Sequence, residues 1–154
     1  MVMERSGHVC PEYMRRLSAA ERREEIFRIL CDVNGGAWLM EMHARGVSLP
    51  VNDFREEFKS FINGGYTMEY PQGYTSELYC GYEGDVIAHT TLIYAFLSAL
   101  DVDVPANTYP TLILSAGSTA DIVLHPTARL NIELYGDASY RLSGDQTRVN
   151  VKKH

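Results

Sequence analysis

The chain has 154 residues and a formal net charge of −6, and 45% of its residues are hydrophobic. This length is enough for a domain with a sizeable core, so neither disulfides nor a structural metal are needed for folding. Phosphate binding requires clustered cations, and residues 75–128 contain no Lys or Arg, so we do not expect this half to bind nucleic acid.

The first ten residues contain several charged side chains and no apolar segment, so they do not read as a secretory signal. The three cysteines, Cys10, Cys31 and Cys80, are widely spaced without a Cys-x-x-Cys motif, which predicts free thiols. The most apolar window, residues 86–100, is too short for a membrane-spanning helix. We therefore expect a soluble intracellular protein with no membrane contact.

Residues 1–65 are predicted to form a small helical cap segment. Residues 17–33 have amphipathic helical periodicity, and Ser18 and Glu21 form a capping box at their start. Shorter helices fit residues 37–45 and 54–62. Three short helices could also form a helix-turn-helix reader of DNA, but the second and third carry too few cations for that role, so a cap packed on the rest of the chain is favoured.

Residues 66–84 form a joint that is rich in tyrosine and glycine. Tyrosine suits surfaces that are apolar on one side and hydrated on the other, so this joint could bind a sugar or a partner protein. The alternative is that these side chains attach the helical segment to the first strands. The tyrosines concerned are Tyr66, Tyr70, Tyr74, Tyr79 and Tyr82.

Residues 85–154 are predicted to be an all-β repeat domain, because triplets of alternate residues with largely apolar side chains recur every 8 to 10 residues. The window 86–100 could equally be one buried helix, but its β-branched and aromatic residues favour strands. The triplets are Thr91/Ile93/Ala95, Leu100/Val102/Val104, Pro110/Leu112/Leu114, Ala120/Ile122/Leu124, Ala128/Leu130/Ile132, Ala138/Tyr140/Leu142 and Thr147/Val149/Val151.

Three of these units share the form Thr/Asp-Ala-x-apolar-x-apolar, and they begin at Thr119, Thr127 and Asp137. A short unit of this kind cannot bury its own apolar face, so it must stack on its neighbours. The fold class predicted is therefore α+β: a helical segment followed by a short-repeat β-solenoid. An antiparallel β-sandwich is the alternative, since it also has strands every 8 to 12 residues.

The tandem Ala-x-Ile-x-Leu units, preceded by Trp38-Leu39 and by the segment 46–50 (Gly-Val-Ser-Leu-Pro), resemble small short-repeat β-helix proteins of Bacteroidales phages and mobile elements. The resemblance implies a β-helical fold encoded by a phage or mobile element, and a location in the bacterial host cytoplasm or the virion. It brings no catalytic residue with it.

No motif in the chain predicts catalysis, a cofactor or a metal. Phosphate-binding, dinucleotide-binding and nucleophile motifs are absent, and no two histidines have a metal-ligand spacing. Asp101 and Asp103 lie two apart on a predicted strand and so project from one face, which could serve a glycosidase or a calcium ion. Charges facing solvent opposite Leu100, Val102 and Val104 are the simpler interpretation.

We therefore predict a non-enzymatic structural or protein-interaction module that forms homo-oligomers, and whose partner is a second copy or a host or virion protein. The candidate interaction residues are the five joint tyrosines together with Asp101 and Asp103. Two alternatives stay open. One is an acidic inhibitor of a basic host defence protein, and the other is a carbohydrate-binding or carbohydrate-active module.

Overall fold

The computed structural model describes residues 15, 16, 19, 21, 66–69, 73 and 75–154. Arg15, Arg16 and Ala19 have helical backbone and Glu21 does not; otherwise the predicted helices lie outside the described residues. The described strands are β1 (Tyr66–Glu69), β2 (Thr75–Cys80), β3 (Glu83–Ile87), β4 (Leu92–Phe96), β5 (Ala99–Val104), β6 (Thr111–Leu114), β7 (Thr119–Leu124), β8 (Leu130–Leu134), β9 (Ser139–Ser143) and β10 (Val149–Lys153), with a 3₁₀ turn at Gln146–Arg148 before β10.

The strands form two sheets that wind into a parallel β-solenoid of about four turns. Sheet A has the order β1-β2-β4-β6-β8-β10, and sheet B has the order β3-β5-β7-β9. All described neighbours pair in parallel except β1 and β2, which are antiparallel. The predicted solenoid is confirmed, and parallel pairing excludes the alternative antiparallel sandwich.

Each coil contributes one strand to each sheet, so the strands that pair are two apart in the chain. Asp101 pairs with Asp121, and Leu112 pairs with Ile132. The coil therefore contains 20 residues (121 − 101) at these positions, and the predicted unit of about ten residues is half a coil. Strands β1 and β2 lie inside the tyrosine-rich joint of residues 66–84, and β2 pairs with β4 as part of sheet A.

The core lies between the two sheets and consists of stacked columns of apolar side chains. In sheet A, Leu112 lies in register between Ile93 and Ile132, and all three are fully buried. In sheet B, Val102 and Ile122 form a similar column. The predicted inward triplets are confirmed in the central coils, including the window 86–100, which forms strands. Of the remaining triplet residues, Thr91, Thr147 and Val151 are exposed, and Tyr140, Leu142 and Val149 are partly buried.

One corner of the solenoid is held by stacked serine hydroxyls. The Ser98 backbone N–H donates to Ser118 Oγ at 3.1 Å, and the Ser118 hydroxyl donates to the Ala95 carbonyl at 3.2 Å. The hydroxyls of Ser115 and Ser118 lie 3.0 Å apart. These bonds satisfy backbone groups that the turn removes from the strand ladders. Gly117 lies between Ser115 and Ser118 in this turn and has a φ of +81°, a conformation that favours glycine.

The outward faces of the two sheets differ in exposure. On sheet A, the outward residues Leu78, Tyr94 and Ile113 lie in register and are buried. On sheet B, the outward side chains of β3, β5, β7 and β9 are exposed or half-exposed. The outer face of sheet B is therefore the accessible sheet surface along the full set of described coils.

Candidate functional site

The structure describes the side chains of two of the five candidate tyrosines, Tyr79 and Tyr82, and neither side chain is fully exposed. Tyr79 is 4% exposed and belongs to the core, and its hydroxyl donates to Glu77 Oε2 at 3.1 Å. Burial, reinforced by the neighbouring Glu77 carboxylate, raises the pKa of Tyr79. Tyr82 is half-buried and packs on the core, with its ring centroid 5.1 Å from that of Tyr79.

The other three tyrosines contribute no described surface. Tyr66 lies on β1, whose side chains are not among the described positions, and Tyr70 and Tyr74 lie outside the described residues. Tyr79 and Tyr82 therefore pack within the first coil of the solenoid. Whether the tyrosines also attach the helical segment to the first strands stays a prediction, since that segment lies outside the described residues.

Asp101 and Asp103 both point outward from β5, as their spacing predicts, because Leu100, Val102 and Val104 occupy the inward positions. Asp101 lies in register with Asp85 on β3 and with Asp121 on β7. Arg141 on β9 continues the same column. We call Asp85, Asp101 and Asp121 the acidic column. Adjacent strands are about 4.8 Å apart, so the column holds one carboxylate in each of three successive rungs.

Only one end of the acidic column is neutralised by a described cation. Arg141 donates from Nε and Nη2 to the two carboxylate oxygens of Asp121, both at 2.6 Å. These bonds hold the pKa of Asp121 below its usual value, and they raise the pKa of Arg141. Within the described residues, the carboxylates of Asp85 and Asp101 have no hydrogen bond or ion pair. Like charges on neighbouring strands repel each other, so this part of the face favours a cationic partner.

A second column runs beside the acidic one and is partly aliphatic. It contains Ile87, Asp103, Val123 and Ser143 in register. Ile87 is 50% exposed and Val123 is 46% exposed, so both offer apolar surface to a partner. Asp103 is held by His125, whose Nε2 lies 2.6 Å from Asp103 Oδ1.

The two columns border a shallow depression of about 500 Å³ on the outer face of sheet B. We call this surface, made of the acidic column, Arg141 and the column from Ile87 to Ser143, the acidic face. The acidic face offers carboxylates for ion pairs and, along one side, exposed aliphatic side chains for apolar contacts. This combination is typical of surfaces that bind proteins.

The part of the chain that the structure describes shows neither a metal-binding cluster nor a membrane-spanning helix. No group of three or more His, Cys, Asp or Glu side chains there is arranged to hold a metal ion. None of the helical stretches in that part has the length and apolar character needed to cross a membrane.

The sequence predicted Asp101 and Asp103 but missed the rest of the acidic face. Asp85 and Asp121 join Asp101 because one coil takes 16 residues at the first step (101 − 85) and 20 at the second (121 − 101). The signal available in the sequence was the shared apolar-Asp-apolar pattern of β5 and β7 around Asp101 and Asp121.

Comparison of the chain with protein-family models, with curated proteins and with solved structures finds no significant match.

Proposed function

We propose that this protein is a non-enzymatic protein-interaction module, in which the solenoid is a rigid scaffold and the acidic face binds a basic partner protein. The observation that carries the proposal is the register of Asp85, Asp101 and Asp121, of which, among the described residues, only Asp121 forms an ion pair. Stacked repeats hold such residues at a fixed spacing, so the face is preorganised for binding.

The spacing of the acidic column favours a basic α-helix that lies along the solenoid axis. The three carboxylates are spaced at about 0, 4.8 and 9.6 Å along that axis, as parallel strands are. Residues i, i+3 and i+7 of a helix lie at about 0, 4.5 and 10.5 Å, because the rise is 1.5 Å per residue. Alternate residues of an extended chain lie at about 0, 6.6 and 13.2 Å, so an extended segment falls out of step by the third carboxylate.

The proposal is tested with a synthetic helical peptide that carries Lys at positions i, i+3 and i+7. A peptide of the same composition, with its lysines distributed around the helix, is the control ligand. Binding to the full chain is measured by isothermal titration calorimetry at low and at moderate salt. We expect the first peptide to bind more tightly, and its affinity to fall as salt screens the ion pairs.

A matched pair of variants separates the acidic column from net charge. The double substitution Asp85→Asn with Asp101→Asn removes two negative charges from the acidic column. Losing two exposed ion pairs of about 0.7 kcal/mol each costs about 1.4 kcal/mol of binding free energy, so we expect Kd to rise about tenfold. Asn150→Lys with Ala106→Lys changes the net charge by the same amount at exposed positions outside the acidic face. Equal weakening by both pairs would show that the acidic face is not the binding surface.

An acidic inhibitor of a basic host defence protein is the alternative closest to this proposal, and its binding should weaken with salt in the same way. An origin in a phage or mobile element, a location in the host cytoplasm or virion, and homo-oligomerisation stay predictions. Light scattering of the full chain checks the last of these, since a strict monomer would contradict it.

A further inference from the structure

Among the described residues, sheet B ends at β9 with no strand paired on its outer side. In sheet A, β8 is followed by β10, which pairs with it in parallel. In sheet B, β9 pairs with β7, and no described strand lies on its other side. Within the described part of the chain, the last coil therefore has a strand in sheet A, β10, and none beside β9 in sheet B.

The backbone groups at this open edge can be assigned from the ladder. The Ser139 N–H donates to the Ser118 carbonyl at 3.3 Å, so Ser139 faces β7. Alternate residues of a parallel strand direct their N–H and C=O groups to opposite sides. Tyr140 and Leu142 therefore direct theirs to the open edge, which offers two donors and two acceptors to an incoming strand.

Apolar surface borders the same open position. Tyr140, Leu142 and Val149 pack on the core but are only partly buried, and Val151 is 38% exposed. Residues in the equivalent inward positions of the central coils, such as Val102 and Ile122, are 2% exposed. A further strand beside β9 would cover Tyr140 and Leu142, just as β7 covers Val102 on β5 and β9 covers Ile122 on β7.

The neighbouring edge, β10, is protected against the same event. Lys153 is in register with the inward residue Leu134, so a lysine stands in a column that the other coils fill with apolar side chains. An inward-pointing charge on an edge strand is a common device against strand addition. Strand β9 has no such charge, because its inward residues are Tyr140 and Leu142.

We infer that the β9 edge is a second binding site, which accepts an extended segment of a partner protein as an additional parallel strand. Charge complementarity sets the pattern of that segment. Its central outward residue lies beside Arg141 and is acidic, and the inward residues on either side are apolar. Strands β5 and β7 have this pattern, as Leu100-Asp101-Val102 and Ala120-Asp121-Ile122. A second copy that pairs through its own β9 edge is disfavoured, since it would bring another Lys153 to the same end.

The test uses a capped peptide with the sequence of β5, Ala-Leu-Asp-Val-Asp-Val, added to the full ¹⁵N-labelled chain. In the register of sheet B, its third residue lies beside Arg141 and donates its N–H to the Tyr140 carbonyl. We expect saturable shifts centred on the amide signals of Tyr140 and Leu142. N-methylation of that third residue removes the donor and should weaken binding at least tenfold, whereas N-methylation of the fourth residue, whose N–H points away, should weaken it less.

A variant pair provides a second measurement. Leu142→Lys places on β9 an inward lysine like Lys153 on β10, and it should abolish peptide binding. Ser143→Lys places the same charge on the adjacent outward position and should retain it. The proposal would be overturned if both N-methylations weakened binding equally, or if the amide shifts were absent or centred elsewhere. It would also be overturned if light scattering showed a dimer and the peptide did not bind to it.

Discussion

The substitution Ile122→Ala tests the stacked core, because Ile122 and its neighbour Val123 lie on the same strand and face opposite ways. Ile122 is 2% exposed and lies in register between Val102 and Leu142, whereas Val123 is 46% exposed on the outer face. Replacing Ile122 removes three buried carbons at about 0.8 kcal/mol each, or about 2.4 kcal/mol in transfer free energy. The cavity left behind brings the expected loss of unfolding free energy to about 3 kcal/mol.

For a chain of this size, 1 kcal/mol corresponds to about 2–4 °C in Tm, so Ile122→Ala should lower Tm by about 10 °C. The control, Val123→Ala, removes carbons that are half in water already, and it should change the unfolding free energy by no more than about 0.5 kcal/mol. Thermal unfolding followed by far-ultraviolet circular dichroism measures both. Equal losses in Tm, or a larger loss for Val123→Ala, would refute the assignment of inward and outward faces.

Three further predictions concern single groups. Arg141→Met should raise the pKa of Asp121 towards its usual value, which carboxyl ¹³C spectra measure. The lowered pKa of Asp121 stabilises the fold at pH values above the unfolded pKa, and this contribution is lost as pH falls through the folded pKa. The variant lacks this contribution, so it should lose less stability than the original protein on acidification. Burial and Glu77 raise the pKa of Tyr79, so Tyr79→Phe should leave the lower-pH part of the ultraviolet tyrosine titration unchanged and remove absorbance change only from its high-pH end. Gly144→Ala should lower Tm more than Gly73→Ala, although both glycines have positive φ. A Cβ at Gly144 would lie 2.8 Å from a backbone carbonyl oxygen, whereas no described atom lies within 4 Å of a Cβ at Gly73.

The strand pattern could be predicted from the sequence because alternation is a local property. Leu100, Val102 and Val104 alternate with charged residues, and burial of every second residue follows directly from the pleat. The same reasoning placed Asp101 on an outward face. It could not show which strands pair, because that depends on how the turns between strands direct the chain.

Pairing is what creates the acidic face, so most of that face was beyond sequence reasoning. Asp101 is adjacent to Asp85 and Asp121 only because the chain returns to the same sheet after every second strand. The buried pair of Glu77 and Tyr79 was missed for a related reason. Glu77 occupies an inward position in the first coil, where alternation with apolar residues fails, and its carboxylate accepts the Tyr79 hydroxyl.

The most direct test of the account is to map where a basic partner binds on the full ¹⁵N-labelled chain. The helical peptide with Lys at i, i+3 and i+7 is added at low salt, and shifts of backbone amides are recorded. We predict that the largest shifts fall on Asp85, Asp101, Asp121 and the adjacent Ile87 and Val123. Largest shifts on the outward residues of sheet A, or shifts spread evenly over the chain, would contradict the claim that the acidic face is the binding surface.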